Sequence, residues 1–398
     1  MSNSHPLSGV KVLDLGQIYN APYCTLLLAY MGAEVIKLEP PNGGEHLRKR
    51  LGKEGAQFPF LMLNNNKKSI TLNLKDEKGK KIFRKLVKKV DVVVENFSNG
   101  VMERLGLGYE QLKEINPSII YASGKGYGST GPYKEFPAMD LTIQALSGIM
   151  SITGFEDRPP VKAGPAMADF FGGIHLFAGV VTALYKKAVT GQGDKVEVAM
   201  YDTIYPSLAS SLGYYFGKKE VPPRTGNRHG GLAESPYNVY KTSDGYLAII
   251  CLNNKHWTNL LRVMGREDLI DDPRYDSIPK RIARMDELDQ LIESWTKEHP
   301  KWELANKLLN NHVPCAPVQD LDEIHRDEQY RVRKMIIDIE HPVYGKITVP
   351  GNPIKIESQN DFEIIPTPQL GQHNWEIYHD WLGISEEEFH ELKEQNVI

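Results

Sequence analysis

The sequence predicts an α/β protein built around a parallel sheet, because short β-rich apolar runs alternate with helical apolar spacing from residue 10 to about 205. Repeated β-α-β units of this kind favour right-handed crossovers and a sheet covered on both faces by helices. The chain has 398 residues, more than the roughly 250–300 at which single cores usually stop growing. We therefore expect two domains.

The elements of the first half follow one another in order. Residues 10–15 form a β-rich run, residues 21–31 have helical spacing, and Gly32 suits the left-handed end of that helix. Further helical patterns lie at 76–89 and 109–115, and a long apolar helix opens at Asp169. The remaining strands are predicted at 34–38, 69–74, 90–95, 119–122 and 195–200.

The composition changes after residue 220, which predicts a second structural unit. Residues 222–231 are polar and rich in Gly and Pro, as connections are. A further change falls near 318–327. The elements predicted here are a strand at 246–251, helices at 256–264 and 285–296, strands at 347–349 and 354–356, and a charged helix at 385–394.

The composition indicates a cytoplasmic protein of enzyme size. Charged residues make up 25% and the formal net charge is -4, which gives no electrostatic case for nucleic-acid binding. Three scattered cysteines form neither a disulfide framework nor a metal knuckle. The chain does not open with a secretory signal pattern, and the most apolar stretch, 170–185, is shorter than a bilayer span. We expect a buried helix there and no membrane partner.

Asp169 is the most informative single residue, because a loop with Gly and Pro delivers it to the start of the apolar helix. Unpaired N–H groups and a partial positive charge at a helix N-terminus would keep this carboxylate ionised and could steady an oxyanion. That chemistry suits a covalent nucleophile. The alternative is a plain N-cap, which the local sequence alone favours.

The first β-α-β unit offers a second candidate site. Glu39 ends the second predicted strand, as the ribose-binding acid of a dinucleotide fold does. The first turn lacks the G-x-G-x-x-G glycines that let the backbone approach a pyrophosphate, so nicotinamide binding is a weak interpretation. Turns at the carboxyl ends of parallel strands nevertheless build binding sites, and this one carries Gln17. A surface-loop amide is the alternative for Gln17.

Cationic and polar residues follow successive strands and together suit a ligand that carries phosphates. There is no G-K-[ST] sequence of a P-loop in this set. Each lysine alone is typical of a solvated surface charge, so only the set suggests a phosphorylated cofactor. Its members are Asn64, Asn65, Asn66, Lys67, Lys68, Ser69, Lys75, Glu95, Asn96, Phe97, Arg104 and the Gly-rich run Gly124, Lys125, Gly126, Tyr127 and Gly128.

Asp140 and Asp169 form a third candidate, since paired acids near Gly-rich segments can divide acid and base roles. Sugar hydrolysis would bring more aromatic residues into the same loops. The sequence shows neither metal-ligand spacing nor a G-x-S-x-G elbow, which argues against a metal site and a serine hydrolase.

Ten short motifs keep their order and spacing nearly from end to end. They are 9–16 (GVKVLDLG), 32–41 (GAEVIKLEPP), 64–69 (NNNKKS), 94–97 (VENF), 104–106 (RLG), 126–128 (GYG), 168–169 (AD), 244–246 (DGY), 371–374 (GQHN) and 382–383 (LG). Any one of these is weak, whereas the whole set is specific. In this pattern the chain resembles the class III CoA-transferases, the family of formyl-CoA transferase and carnitine CoA-transferase.

The resemblance implies an enzyme that moves CoA from an acyl-CoA to a small carboxylic acid, with Asp169 as the covalent nucleophile. Gln17 falls on an active-site position near the intermediate, and Asp140 is the third candidate catalytic residue. A coenzyme A thioester is the substrate, and no tightly bound cofactor is expected. The positions that match CoA contacts are Leu72, Lys75, Asn96, Phe97, Arg104 and Lys125.

The resemblance also implies an architecture. A large Rossmann-like domain would comprise residues 1–224 and be completed by the C-terminal segment 326–398. A smaller α+β domain would occupy 225–325. Two chains would interlock as an obligate homodimer.

Three points bear on the activity. An α-methylacyl-CoA racemase on the same fold would need a His just before Asp140, where this chain has Met139, whose thioether cannot exchange a proton. A non-catalytic CoA-binding protein would not need Asp169.

In formyl-CoA:oxalate transferases a run of glycines closes over the site, whereas here the residues after 246–251 read LNNKHW. This puts oxalate in doubt, makes Asn254 or Lys255 a candidate contact and leaves the two acids unnamed.

Overall fold

The computed structural model describes residues 5–50, 58–357 and 363–398. The chain divides into two compact units. The larger contains Met1–Leu146, Pro165–Ile204 and Glu328–Ile398, and the smaller contains Ser147–Gly164 and Tyr205–Asp327. The smaller unit thus includes the segment 225–325, and it also takes in residues 147–164 and 205–224, which the family resemblance places in the large domain.

The larger unit is built on a six-stranded parallel sheet, which confirms the predicted α/β class. Its strands are β1 Lys11–Asp14, β2 Glu34–Glu39, β3 Lys67–Thr71, β4 Val92–Glu95, β5 Ile120–Lys125 and β6 Asp194–Ala199. They lie in the order β3-β2-β1-β4-β5-β6, which is the order of the Rossmann fold. The order reverses between β1 and β4, so the loops after these two strands meet at the edge where such sheets bind ligands.

Helices connect these strands and cover both faces of the sheet. Val12 and Leu13 of β1 belong to two different apolar cores, because successive strand side chains point to opposite faces. Phe83 lies in the same core as Leu13, and Leu176 lies in the same core as Val12. The helices are α1 Asn20–Tyr30, α2 Phe58–Leu63, α3 Glu77–Val87, α4 Val101–Arg104, α5 Tyr109–Ile115, α6 Asp140–Leu146, α7 Met167–Thr190 and α8 Met200–Ile204.

Helix α7 is less buried than the sequence predicts. By length and composition it could cross a membrane, a test that the core helix of a soluble protein passes as well. Only 33% of its most apolar window is buried. Ile174, Tyr185 and Val189 are 43%, 74% and 68% exposed, so one apolar side of α7 is left uncovered by the residues that the structure describes.

The smaller unit packs helices against a three-stranded antiparallel sheet, in which the strand 246–250 lies between the strands 237–241 and 315–317. Its apolar core is centred on buried side chains such as Trp257 and Leu288. Asn254 begins α10, and its amide is bonded to the carbonyl of Asp276 and to Arg281. The elements are α9 Ala209–Lys218, β7 Tyr237–Lys241, β8 Tyr246–Ile250, α10 Asn254–Met264, α11 Ile278–Ile282, α12 Met285–Thr296, α13 Lys301–Asn310, β9 Cys315–Pro317 and α14 Leu321–Arg326.

The C-terminal segment belongs to the larger unit and is fastened to β3. Asn374 Oδ1 accepts the N–H of Thr71, and the N–H of His373 donates to the carbonyl of Ser69. The elements are α15 Glu328–Val332, the antiparallel pair β10 Ile336–His341 and β11 Gly345–Pro350, a π-helical turn Glu376–Trp381 and α16 Glu386–Glu394. The predicted strand at 354–356 is wrong, and β10 was missed because polar residues interrupt its apolar pattern.

Candidate active site

The loops after β1 and β4 are tied together at the point where the strand order reverses. The N–H of Gln17 donates to Asn96 Oδ1 at 2.8 Å, and Asn96 Nδ2 donates to the carbonyl of Gln17 at 2.9 Å. Asn96 therefore fixes the main chain of Gln17. The side-chain amide of Gln17 has no hydrogen-bond partner among the residues that the structure describes, which leaves it available to a ligand.

Helix α7 begins at Met167, so Asp169 is its third residue and not its N-cap. The N-cap position is Ala166, which has no side chain that could cap. Asp140 Oδ1 accepts the N–H of Ala168 at 2.8 Å, and its Oδ2 accepts from Gln144 at 2.7 Å. The N-cap interpretation of Asp169 is therefore wrong. Asp140 accepts the hydrogen bond from the first turn of α7 that an N-cap residue would accept. The Asp169 carboxylate accepts no hydrogen bond within the described ranges.

The surroundings of Asp169 disfavour its ionised form. Burial, and then the neighbouring carboxylate of Asp140, raise the pKa of Asp169 to about 7. The expectation that this carboxylate is kept ionised is thus corrected, because lost hydration and a like charge hold its pKa above the ordinary value. A carboxylate that water solvates poorly is a more reactive nucleophile once it has lost its proton.

Asn20, which the sequence analysis missed, joins the start of α1 to the start of α7. It is 3% exposed, and its Nδ2 donates to the main-chain carbonyl of Asp169 at 3.3 Å. Two glycines leave room for it. A Cβ at Gly172 would lie 2.1 Å from Asn20 Nδ2, and one at Gly124 would lie 2.2 Å from Oδ1. The signal in the sequence was a glycine inside an otherwise apolar helix.

A cavity of about 350 Å³ is lined by these loops and helix starts, within the size range of small-ligand sites. Its lining brings together five of the predicted site residues: Gln17, Asn96, Phe97, Lys125 and Asp169. Asp140 does not line the cavity and lies behind Asp169 at Ala168. Lining residues that the sequence analysis did not single out include Ile18, Asn20, His46, Asn99, Phe136 and Met200.

Lys125 lines the cavity but is held by the protein itself. Its Nζ lies 2.8 Å and 3.0 Å from the two carboxylate oxygens of Glu95 and 2.7 Å from the carbonyl of Phe97. These contacts use the three N–H groups of the ammonium. Lys125 therefore anchors the loop that carries Asn96 and Phe97.

Lys67 and Lys68, which follow β2 in the chain, do not form a phosphate site, so the predicted phosphate-binding role of these two lysines is wrong. Lys67 is buried and pairs with Asp14 at 2.9 Å. Burial lowers the pKa of Lys67 to about 8, against the opposing pull of Asp14. Lys68 pairs with Glu34 and Glu376. Both lysines hold the fold together.

Three predicted CoA contacts lie away from the cavity lining. The side chain of Leu72 is 2% exposed and belongs to the apolar core, so only its main chain could touch a ligand. Lys75 is exposed after β3. Arg104 is exposed at the end of α4, with one guanidinium nitrogen 3.4 Å from the carbonyl of Asn99, a cavity residue.

Within the described ranges 5–50, 58–357 and 363–398, no group of three or more His, Cys, Asp or Glu residues is placed to hold a metal ion. The cavity lining instead includes a carboxylate with a raised pKa, side-chain amides and the ammonium of Lys125. A perturbed carboxylate beside a cavity at the switch point of a Rossmann-type sheet is the arrangement of an enzyme that acts on a bound organic substrate.

Residues 7–374 match the model of CoA-transferase family III, and the chain belongs to this family. It is therefore an enzyme of the CoA-transferase class, as the motifs predict. Enzymes of this family act on CoA thioesters.

Curated relatives cover almost the whole chain. The formyl-CoA:oxalate CoA-transferase of Streptomyces coelicolor is 37% identical over 98% of this chain and 99% of its own length. The acetyl-CoA:oxalate CoA-transferase of Acetobacter aceti is 38% identical over 89% and 90%. The human succinyl-CoA:glutarate CoA-transferase is 34% identical over 100% and 91%.

A solved structure has the same fold. The CAIB/BAIF family protein of Brucella suis superposes with a TM-score of 0.82 at 33% identity, covering 95% of this chain and 99% of that one.

Proposed function

We propose that this enzyme moves CoA from an acyl-CoA thioester to a small carboxylic acid through a covalent intermediate on Asp169. The observation that carries the proposal is the Asp169 carboxylate, which lines the cavity, has no hydrogen-bond partner among the described residues and has a pKa raised to about 7. The substrates of the relatives, which are formyl, acetyl and succinyl thioesters with oxalate or glutarate, support small carboxylates as the acids.

The first half of the proposed reaction takes CoA from the donor. An Asp169 oxygen attacks the thioester carbonyl, the C–S bond breaks and CoA leaves as the thiolate, so a mixed anhydride forms. The thiolate then attacks the carbonyl carbon of Asp169. The donor acid departs as a carboxylate, and an aspartyl-CoA thioester remains.

The second half reverses these steps with the acceptor. Its carboxylate attacks the aspartyl thioester and expels the thiolate, and the thiolate then attacks the acceptor carbonyl. The new acyl-CoA leaves, and Asp169 returns as a carboxylate. Each intermediate keeps the acyl group activated as a thioester or an anhydride, and the exchange needs no net proton transfer.

We assign supporting roles from the positions of the side chains. The side chain of Gln17 lines the cavity together with Asp169, and its amide is suited to hydrogen-bond the tetrahedral oxyanion. Asp140 fixes the start of α7 and, through its charge, raises the pKa of the nucleophile. Racemase chemistry is less suited to this cavity, because the lining residue before Asp140 is Met139.

We propose that Asn96, Phe97 and Arg104 contact CoA, with Lys125 holding their loop in place. Charge reversal at Arg104 (Arg104→Glu) should raise the KM for the acyl-CoA about tenfold or more and leave kcat within about threefold, because a phosphate partner is lost outside the reacting centre. Steady-state kinetics checks this. Lys113→Glu, also an exposed helix cation, is the matched control. An unchanged KM in Arg104→Glu would show that the assignment is misplaced.

We also propose that the protein is a homodimer in which a second chain covers the exposed apolar side of α7. Large exposed apolar side chains along one side of a helix are typical of a protein interface. Light scattering should give twice the chain mass, and a monomer at micromolar concentration would contradict the proposal.

The function is tested by incubating the purified protein with formyl-CoA, acetyl-CoA or succinyl-CoA and a panel of acids that includes oxalate, glutarate and hydroxy acids. At least one pair should yield the acceptor acyl-CoA and the donor acid in equal amounts. Thioester hydrolysis without transfer would contradict the proposal, and the pair with the highest kcat/KM identifies the substrates.

A further inference from the structure

The residue after Gln17 has a strained backbone. Ile18 has φ 64°, in the left-handed region that β-branched residues rarely adopt. Ile18 lines the cavity, and it lies between Gln17, fixed by Asn96, and Asn20, bonded to the main chain of Asp169. Such a conformation persists only where neighbouring groups hold it.

The peptide unit between Gln17 and Ile18 is bonded at both ends: Asn96 donates to its carbonyl, and the carboxylate of Glu45 accepts its N–H. Glu45 Oε2 accepts the N–H of Ile18 at 3.2 Å. Glu45 is 4% exposed, and its Oε1 has no partner among the residues described here. A buried carboxylate with an unpaired oxygen is costly to the fold.

A second buried pair fixes the position of Glu45. Its own N–H donates to Glu39 Oε2 at 3.2 Å. Glu39 is buried against Arg48, whose guanidinium grips both carboxylate oxygens at 2.8 Å. Glu39 thus serves the loop 39–48 and does not face a ribose. The connections run from Arg48 through Glu39 and Glu45 to the main chain of Ile18.

We propose that Glu45 is a positioning residue for catalysis, which holds Ile18 in its left-handed conformation and thereby sets Gln17 against Asp169. The hydrogen bond to the Ile18 N–H carries this effect, and the negative charge of Glu45 does not. Relaxation of Ile18 to a negative φ would turn the chain between Gln17 and Asn20 and displace the Gln17 amide from the cavity. The proposal rests on the CoA exchange argued above.

Two substitutions test separately whether the length of the Glu45 side chain or its negative charge is needed. Glu45→Gln keeps an oxygen within reach of the Ile18 N–H and removes the charge, so kcat should stay within about threefold of the parent enzyme and the unfolding temperature should not fall. Glu45→Asp keeps the charge but is one methylene too short, so kcat should fall about tenfold or more with the acyl-CoA KM little changed.

The substitution Ile18→Gly removes the need for the hydrogen bond between Glu45 and the Ile18 N–H. Glycine adopts a positive φ readily, so in Ile18→Gly protein the loss of kcat on Glu45→Asp should shrink to about threefold or less. A crystal structure of Glu45→Asp should show Ile18 at negative φ. Gln and Asp variants of equal activity, an undiminished loss in the Ile18→Gly background, or Ile18 still near 64° in Glu45→Asp would each overturn the proposal. A parent enzyme without any CoA exchange would instead overturn the proposed function.

Discussion

Replacing Asp169 by asparagine should abolish CoA exchange, with a fall in kcat of at least about a thousandfold, because an amide oxygen cannot form the anhydride. The same change should raise the unfolding temperature by several degrees at pH 8, since the folded protein no longer buries a carboxylate beside Asp140. Exchange kinetics and thermal unfolding of the same preparations measure both effects.

Asp202→Asn is the matched control for this prediction. Asp202 lies on α8, its pKa is also raised by burial, followed by Glu197, and it does not line the cavity. Its replacement should leave kcat within about threefold. Comparable activity in Asp169→Asn and the parent enzyme would remove Asp169 from the mechanism.

The rate should depend strongly on pH, since only ionised Asp169 attacks. With a pKa of about 7, kcat/KM should rise about tenfold per pH unit below neutrality and level off above it. The stability of the folded protein changes with pH in the opposite direction. Between pH 3.8, the ordinary pKa of an aspartate, and about pH 7, Asp169 keeps its proton in the folded state but not in the unfolded state. This group therefore lowers the free energy of unfolding as the pH rises through that window.

Asp140→Asn tests the cause of the raised pKa. An asparagine oxygen still accepts the N–H of Ala168, but the like charge beside Asp169 is gone. The midpoint of the pH–rate profile should therefore move to lower pH. A midpoint that stays in place or moves upward would show that Asp140 does not act on Asp169 electrostatically.

The fold of the larger unit was largely predictable because its strands are apolar and Gly or Pro residues mark many of its turns. All six strands of the parallel sheet fall on predicted β-rich runs, with ends displaced by a few residues. The antiparallel strand β10 was missed because Asp338 and Glu340 face solvent within it. A half-exposed strand with charged residues gives no apolar run to recognise.

The site was predictable only through the order of the motifs along the whole chain, because the local residues alone favoured an N-cap for Asp169 and a surface amide for Gln17. The structure places both residues at one cavity. The capping by Asp140, the burial of Lys67 and the contact of Glu45 with Ile18 join residues distant in sequence. Burial and partners decide whether a charge is reactive or structural, and local sequence contains neither.

The central claim, a covalent intermediate on Asp169, is tested most directly by mass spectrometry after incubation with acyl-CoA and hydroxylamine. In the parent enzyme, hydroxylamine should convert the aspartyl thioester to a hydroxamate on the peptide that contains Asp169, in step with loss of exchange activity. Asp169→Asn should remain unmodified. An unmodified Asp169 in an enzyme that still exchanges CoA at full rate would contradict the account.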